Sequence, residues 1–182
     1  MNKQETILTL VRQAGAANAA PVPQSGILYD RMFRDICRGN ACGRYGTCYM
    51  CPPDVGDIGE LIARAKEYPF GVLYQSIGQL EDSFDFEGMT EAGKAHHACS
   101  QRIRQALEDA RLGGCLHLTS GGCGVCERCA KPDGLPCRFP DKALPSLESY
   151  GVNVYATAQN AGLKYTNGTN TVTYFGLVLF KE

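Results

Sequence analysis

Between Cys123 and Pro140 the chain reads Cys-Gly-Val-Cys-Glu-Arg-Cys-Ala-Lys-Pro-Asp-Gly-Leu-Pro-Cys-Arg-Phe-Pro, and no other stretch limits so narrowly what the chain can fold around. Three cysteines recur with two residues between them, and a fourth, Cys137, returns after a Pro/Gly loop. A C-x2-C-x2-C run lets backbone wrap one corner of an iron–sulfur cubane, offering three thiolates and several N–H groups to the inorganic sulfides. Cys137 is the nearest candidate for the fourth thiolate, although in two-cluster ferredoxins the last cysteine of such a run ligates the other cluster.

A second set lies upstream, at Cys37, Cys42, Cys48 and Cys51, closed by Pro52-Pro53. Its spacings of four, five and two intervening residues match no zinc-finger pattern. The Gly43-Arg44-Tyr45-Gly46 turn inside it reads as a loop bent round an object. Cys51-Pro52 echoes the ferredoxin terminus, where proline sets φ and removes a competing N–H.

Ten cysteines would suit a disulfide framework in a secreted protein, so the N-terminus bears on the choice. Met1 to Ala20 ends in Ala-Ala-Asn-Ala-Ala, but Ile7 to Val11 is only a brief apolar run, interrupted by Arg12-Gln13 before it reaches signal length. No export signal is expected, and no apolar stretch approaches the ~20 residues of a membrane span. The expectation is a cytoplasmic chain, away from membranes, whose cysteines bind metal rather than one another. The formal charge of -1 and pI of about 6.3 carry no polyanion-binding signature, so nucleic acid is not an expected partner. With 182 residues the chain suits a single domain, 1–182, bearing a cysteine-rich cluster lobe formed by 34–53 and 121–140.

Around these sets the pattern is ordinary. Ile7, Leu8, Val11 and Ala14 predict a helix over about Thr6 to Ala14, ended by Pro21 and Pro23, after which Ile27 to Phe33 leads into the first set. Asp57 and Glu60 form an acidic version of a capping box ahead of Ile58, Leu61, Ile62 and Ala65, predicting a helix from about Ile58 to Tyr68. Phe70 to Ile77 reads as a buried strand and Gly78 to Gly88 as a loop. Met89 to Leu112 reads as a long helix with Cys99 on its buried stripe, read as core, and His96 and His97 on its partly exposed flank.

Cys115 to Ser120 is expected to be a short strand on which Cys115 and His117 pack on one face. A helical turn from Pro145 through Tyr150 should end at Gly151. Val152 to Ala158 and Thr171 to Phe180 complete the strands. The sum is an α+β fold: a small mixed or antiparallel sheet covered by helices, with two cysteine-rich cofactor loops projecting from it.

Cys42-Gly-Arg-Tyr-Gly followed by Cys51-Pro-Pro, with Gly121-Gly-Cys-Gly-Val-Cys-Glu-Arg-Cys and Pro136-Cys-Arg-Phe-Pro downstream, resembles an uncharacterised cysteine-rich family of predicted metal-binding proteins, a domain of unknown function. The likeness runs from about Ile27 to Phe180. It implies bound metal and little more. Such proteins do not always carry cysteine at position 48, so the resemblance puts Cys37, Cys42 and Cys51 at the heart of the first set.

The expected function is an iron–sulfur protein holding two [4Fe-4S] clusters and passing single electrons to a redox partner protein of unknown identity. Its ligands would be Cys37, Cys42, Cys48, Cys51, Cys123, Cys126, Cys129 and Cys137, paired either within or between the sets. The alternatives are a zinc-binding structural or interaction module, or an enzyme with an open-site cluster. A third cysteine at C-x2-C spacing is surplus to a zinc-ribbon knuckle. No Gly-rich nucleotide loop, Ser/His/Asp set or H-E-x-x-H helix marks a catalytic centre. Arg31, Arg34, Arg38 and Arg44 near the first set, and Arg128, Lys131 and Arg138 near the second, either tune cluster charge or form a solvated surface.

Overall fold

A computed structural model describes residues 2–182. Its frame is a four-stranded antiparallel sheet in the order β1-β2-β4-β3, formed by Asn18–Pro23, Phe70–Gln79, Thr171–Phe180 and Leu116–Leu118 as β1, β2, β4 and β3. Five helices join it among the described residues: α1 (Lys3–Gln13), α2 (Met32–Arg38), α3 (Ile58–Lys66), α4 (Phe86–Asp109) and α5 (Val154–Asn160). The expected α+β class, with an antiparallel sheet covered by helices, is what the chain adopts.

The central strands are continuously apolar over Phe70–Tyr74 and Phe175–Phe180, where both faces of the sheet are covered. On one face Val72, Tyr74, Val178 and Phe180 pack with Ile7 and Val11 of α1 and Cys99, Ile103 and Leu107 of α4. On the other, Leu73, Leu177 and Leu179 share a cluster with Leu61 and Ala65 of α3, with Leu147, Tyr150 and Val152, and with Ala158 of α5. The register pairs Leu73 with Leu177 and Val72 with Val178, so alternate residues supply the two cores.

Several local expectations hold. The first helix forms with Ile7 and Val11 buried, but it starts at Lys3 rather than near Thr6, because Asn2 and Glu5 close a reciprocal capping box. The Asp57 carboxylate accepts from the backbone N–H groups of Gly59 (2.7 Å) and Glu60 (3.2 Å), starting α3 where the sequence places it. Cys99 is buried in the core.

Others are corrected. Pro21 and Pro23 do not merely end α1; they belong to β1, an edge strand, where a missing N–H is tolerated. Val152 to Ala158 is not a strand. The Asn153 side chain accepts from the Ala156 N–H and starts α5, so a cap overrides the β-branched residues. Met32–Arg38 forms a helix with Cys37 in its last turn, so the first cysteine set is not simply a loop. The region expected as a loop from Gly78 to Gly88 is shortened by β2, which continues to Gln79, and by α4, which starts at Phe86 on an Asp85 cap. His96 is fully buried rather than partly exposed. No described helix is long and apolar enough to cross a membrane.

Two clamps position the cysteine segments. Residues 28–30 are tied to 151–153 by Asn153 N–H to Leu28 O and Asp30 N–H to Gly151 O, both 2.7 Å. Residue 119 is tied to 145–147 by Thr119 N–H to Pro145 O (2.9 Å) and Leu147 N–H to Thr119 O (2.8 Å). One connecting segment, 145–153, therefore holds the entry to both cysteine sets and brings them side by side.

Candidate metal centre

All ten cysteines are free thiols. Eight of them gather round two adjoining hollows, and the division differs from the order along the chain. Cys37, Cys42 and Cys51 line one hollow of about 340 Å³, together with Arg44 and Glu148. Cys123, Cys126, Cys129 and Cys137 line the other, and Cys48 joins them there rather than its neighbours in sequence.

Tight turns deliver the first set. After α2, Asn40 takes a left-handed conformation and its side chain accepts from the Tyr45 N–H at 3.0 Å, while Gly43 and Gly46 turn with φ of 69° each. At such angles glycine avoids the steric penalty of a Cβ. Gly46 N–H then donates to Pro52 O (2.9 Å), closing the segment on itself with Cys48 inside. Cys48 and Cys51 are both buried.

The second set leaves β3 at Leu118 and runs irregularly to Leu144, broken only by a 3-10 turn at Lys131–Asp133. Tyr49 Oη donates to Leu135 O (2.7 Å), and Lys131 makes an ion pair with Asp54, so the two sets are stitched together across their seam. Arg128 pairs with Asp133 (2.9 Å) and also presents its carbonyl to Arg138 Nη1 (3.0 Å).

Cys48 sits at the junction. The Cys51 thiol hydrogen-bonded to its sulfur pulls Cys48 well below the usual thiol range, to about 5, aided by N–H groups including that of Cys123 and by the Cys129 thiol. Cys51 is pushed the other way, first by that shared hydrogen bond and then by burial. Burial also raises Cys37 and Cys123.

The cations near the sets have separate roles. Arg38 and Arg128 are exposed and paired with carboxylates. Arg34 is buried, donating to Gly56 O (2.8 Å) and Ser149 O (3.4 Å). Arg44 lines the first hollow and packs along Gly122, where an added Cβ would meet its side chain at 3.2 Å.

Glu148, a carboxylate on the wall of the first hollow, was not marked by any local pattern. Only the clamp at 145–153 carries it there. Cys99, in the core, and Cys115, partly buried against it, stand outside both hollows. His117 is likewise a core residue, hydrogen-bonded to Tyr74.

The donor chemistry suits a thiophilic metal group, with three thiols and a carboxylate round one hollow and five thiols round the other. Among the described residues, no three His, Cys, Asp or Glu side chains stand close enough to hold a single metal ion. The second hollow encloses only about 20 Å³, room for little more than a water molecule, so a cubane would need its walls to part.

The fold and this gathering of thiols define a cysteine-rich α+β protein with the donor set of a metal binder. The chain belongs to the family described as predicted metal-binding protein (DUF2284), which matches residues 20–180. No curated protein and no solved structure matches it.

Proposed function

We propose that this chain is an iron–sulfur protein carrying two [4Fe-4S] clusters and passing electrons singly to a partner protein in a reducing cytoplasm. The carrying observation is the arrangement of eight free thiols round two adjoining hollows on one body. In this proposal residues 1–182 form one domain, with 34–53 and 121–140 as its cluster lobe.

Cys37, Cys42 and Cys51 would hold the first cluster, with Glu148 as the nearby non-sulfur donor. Cys123, Cys126, Cys129 and Cys137 would hold the second, with Cys48 on the same wall. Bound clusters would supply one-electron redox chemistry, while the chain would supply the thiolates, together with N–H groups and cations that offset the negative charge those thiolates place on each core. Arg44, on the wall of the first hollow, is the best placed cation for that purpose.

Two clusters side by side suit an electron relay, and a cluster with only three thiolates leaves one iron for Glu148 or an incoming ligand. Zinc is the competing reading, favoured by the small volume of the second hollow. Anaerobic purification followed by iron and acid-labile sulfide analysis, with EPR of the reduced protein, separates them. About eight iron and eight sulfide per chain with a reduced cluster signal are expected. Zinc without sulfide would overturn the proposal.

A further inference from the structure

On the far side of Cys123 from the second hollow lies a larger cavity, about 520 Å³, between α4 and residues 119–144. Helix α4 contributes Lys94, His97, Arg102 and Arg104 to its wall, and Lys142 faces it from the segment after the second cysteine set. Four permanent cations thus face one cavity in a chain of formal net charge -1. Among the described residues, no Asp or Glu lines it.

Part of this charge is balanced. Lys94 pairs with Glu91 (2.6 Å) and Arg104 with Glu108 (2.8 Å) along the helix. Arg102 and Lys142 form no ion pair among the described residues. Both are nevertheless held in place. The Arg102 Nε donates to Ala14 O (2.8 Å), and Gln101 Nε2 donates to the Lys142 carbonyl (2.8 Å), fastening that segment to α4.

A wall that carries four cations and no carboxylate among the described residues favours an anion. The remaining wall is built rather than incidental. Thr119, only 1% exposed, shares a hydrogen bond of 2.9 Å with Ser100 inside the protein, fixing the inner wall. Ala98, Val125 and Leu144 add apolar surface. A bare inorganic ion would leave that surface wet, whereas an organic ligand would cover it. The volume lies within the range of small-ligand sites, about 300 to 1,000 Å³.

We propose that this cavity binds a small organic oxyanion, a phosphate monoester or carboxylate with an apolar body, its charged end at Arg102 and Lys142 and its body against Val125 and Leu144. Arginine's planar fork suits either oxyanion. Cys123, Gly124 and Val125 of the cysteine loop also line the cavity, but none of its cations comes from a residue proposed to hold metal, so the proposal does not rest on the metal reading.

The test is isothermal titration of the full-length protein with phenyl phosphate, benzoate and inorganic phosphate. Saturable binding of phenyl phosphate or benzoate at one per chain is expected, tighter than inorganic phosphate. Arg102→Gln and Lys142→Gln should each weaken it about tenfold, as expected when a charge-assisted contact is lost. Lys164→Gln, an exposed change elsewhere, should leave it unaltered. Thermal melting checks that each variant is folded; among the described residues the Lys142 side chain makes no ion pair and lies over the Phe139 ring at 5.7 Å. Absence of saturable binding by both organic probes, or equal binding by wild type and a folded Lys142→Gln variant, overturns the proposal.

Discussion

The Tyr74 hydroxyl lies 2.8 Å from Nε2 of His117, and both side chains are buried beneath the sheet. Ser100 Oγ, 2.8 Å from the same hydroxyl, donates to His96 O and meets Thr119 Oγ1 at 2.9 Å. His96 donates from Nε2 to Phe175 O (3.1 Å), which leaves Nδ1 to accept from Ser76 at 2.9 Å. Neutral imidazoles suit this network, and burial depresses His96 to about 4 and His117 to about 3.

Acid should therefore destabilise the fold through these histidines. In the unfolded chain they protonate near 6.5, while the folded protein keeps them neutral until about 4 and 3. Their contribution is intact above pH 6.5 and falls as pH drops towards those values, because the unfolded state then binds more protons. Each histidine should cost about tenfold in the folding equilibrium per pH unit within that window. Urea titrations at pH 7, 6 and 5 should show the decline, with a shallower slope for His117→Gln by about one proton. Identical slopes would rule out the assignment for His117.

Gly176 faces Tyr74 across the β2–β4 register, and an added Cβ would come within 2.1 Å of its ring. Tyr74 is fully buried and hydrogen-bonded, so it has nowhere to retreat. Gly176→Ala should destabilise the protein by about 3 kcal/mol or prevent folding. Wild-type stability in denaturant would show that the ring can move aside.

Arg34 binds the loop before α3 to the 3-10 turn at Glu148–Tyr150 through two carbonyls. Arg34→Met retains an apolar stem but leaves both acceptors without their donor. A loss of about 2–3 kcal/mol is expected from chemical denaturation. A change below about 0.5 kcal/mol, the usual scale for unremarkable surface sites, would mean those hydrogen bonds contribute little.

The sharing of thiols between hollows predicts which variants resemble one another. Cys48→Ser should perturb the same metal centre as Cys126→Ser or Cys129→Ser, while Cys37→Ser and Cys42→Ser should perturb the other. Iron, sulfide and reduced-state EPR measured on each variant would reveal the grouping. A Cys48→Ser spectrum matching that of Cys37→Ser would show that the chain-order grouping is correct after all.

Much of the frame was legible because it rests on local rules. The Ile7/Val11 stripe, the Asp57 cap and the apolar run at Phe70 act over a few residues, and each produced the element its pattern implied. Cys99 could be placed in the core from its helical phase alone. Where two local signals competed, the decision came from neighbours. Pro21 and Pro23 are admissible in a strand only because β1 lies at an edge, and the Asn153 cap prevails where α5 can pack Ala158 into the core.

By itself the chain determined its inventory: spaced thiols, an α+β alternation and the family to which these motifs belong. Tertiary structure alone put Cys48 on the wall of the downstream hollow, set Glu148 on the same wall as Cys37 and opened a cationic cavity beside Cys123. Residues far apart in sequence meet there because the 145–153 segment is hydrogen-bonded both to residues 28–30 and to Thr119, and spacing along a chain carries no information about such long-range closure.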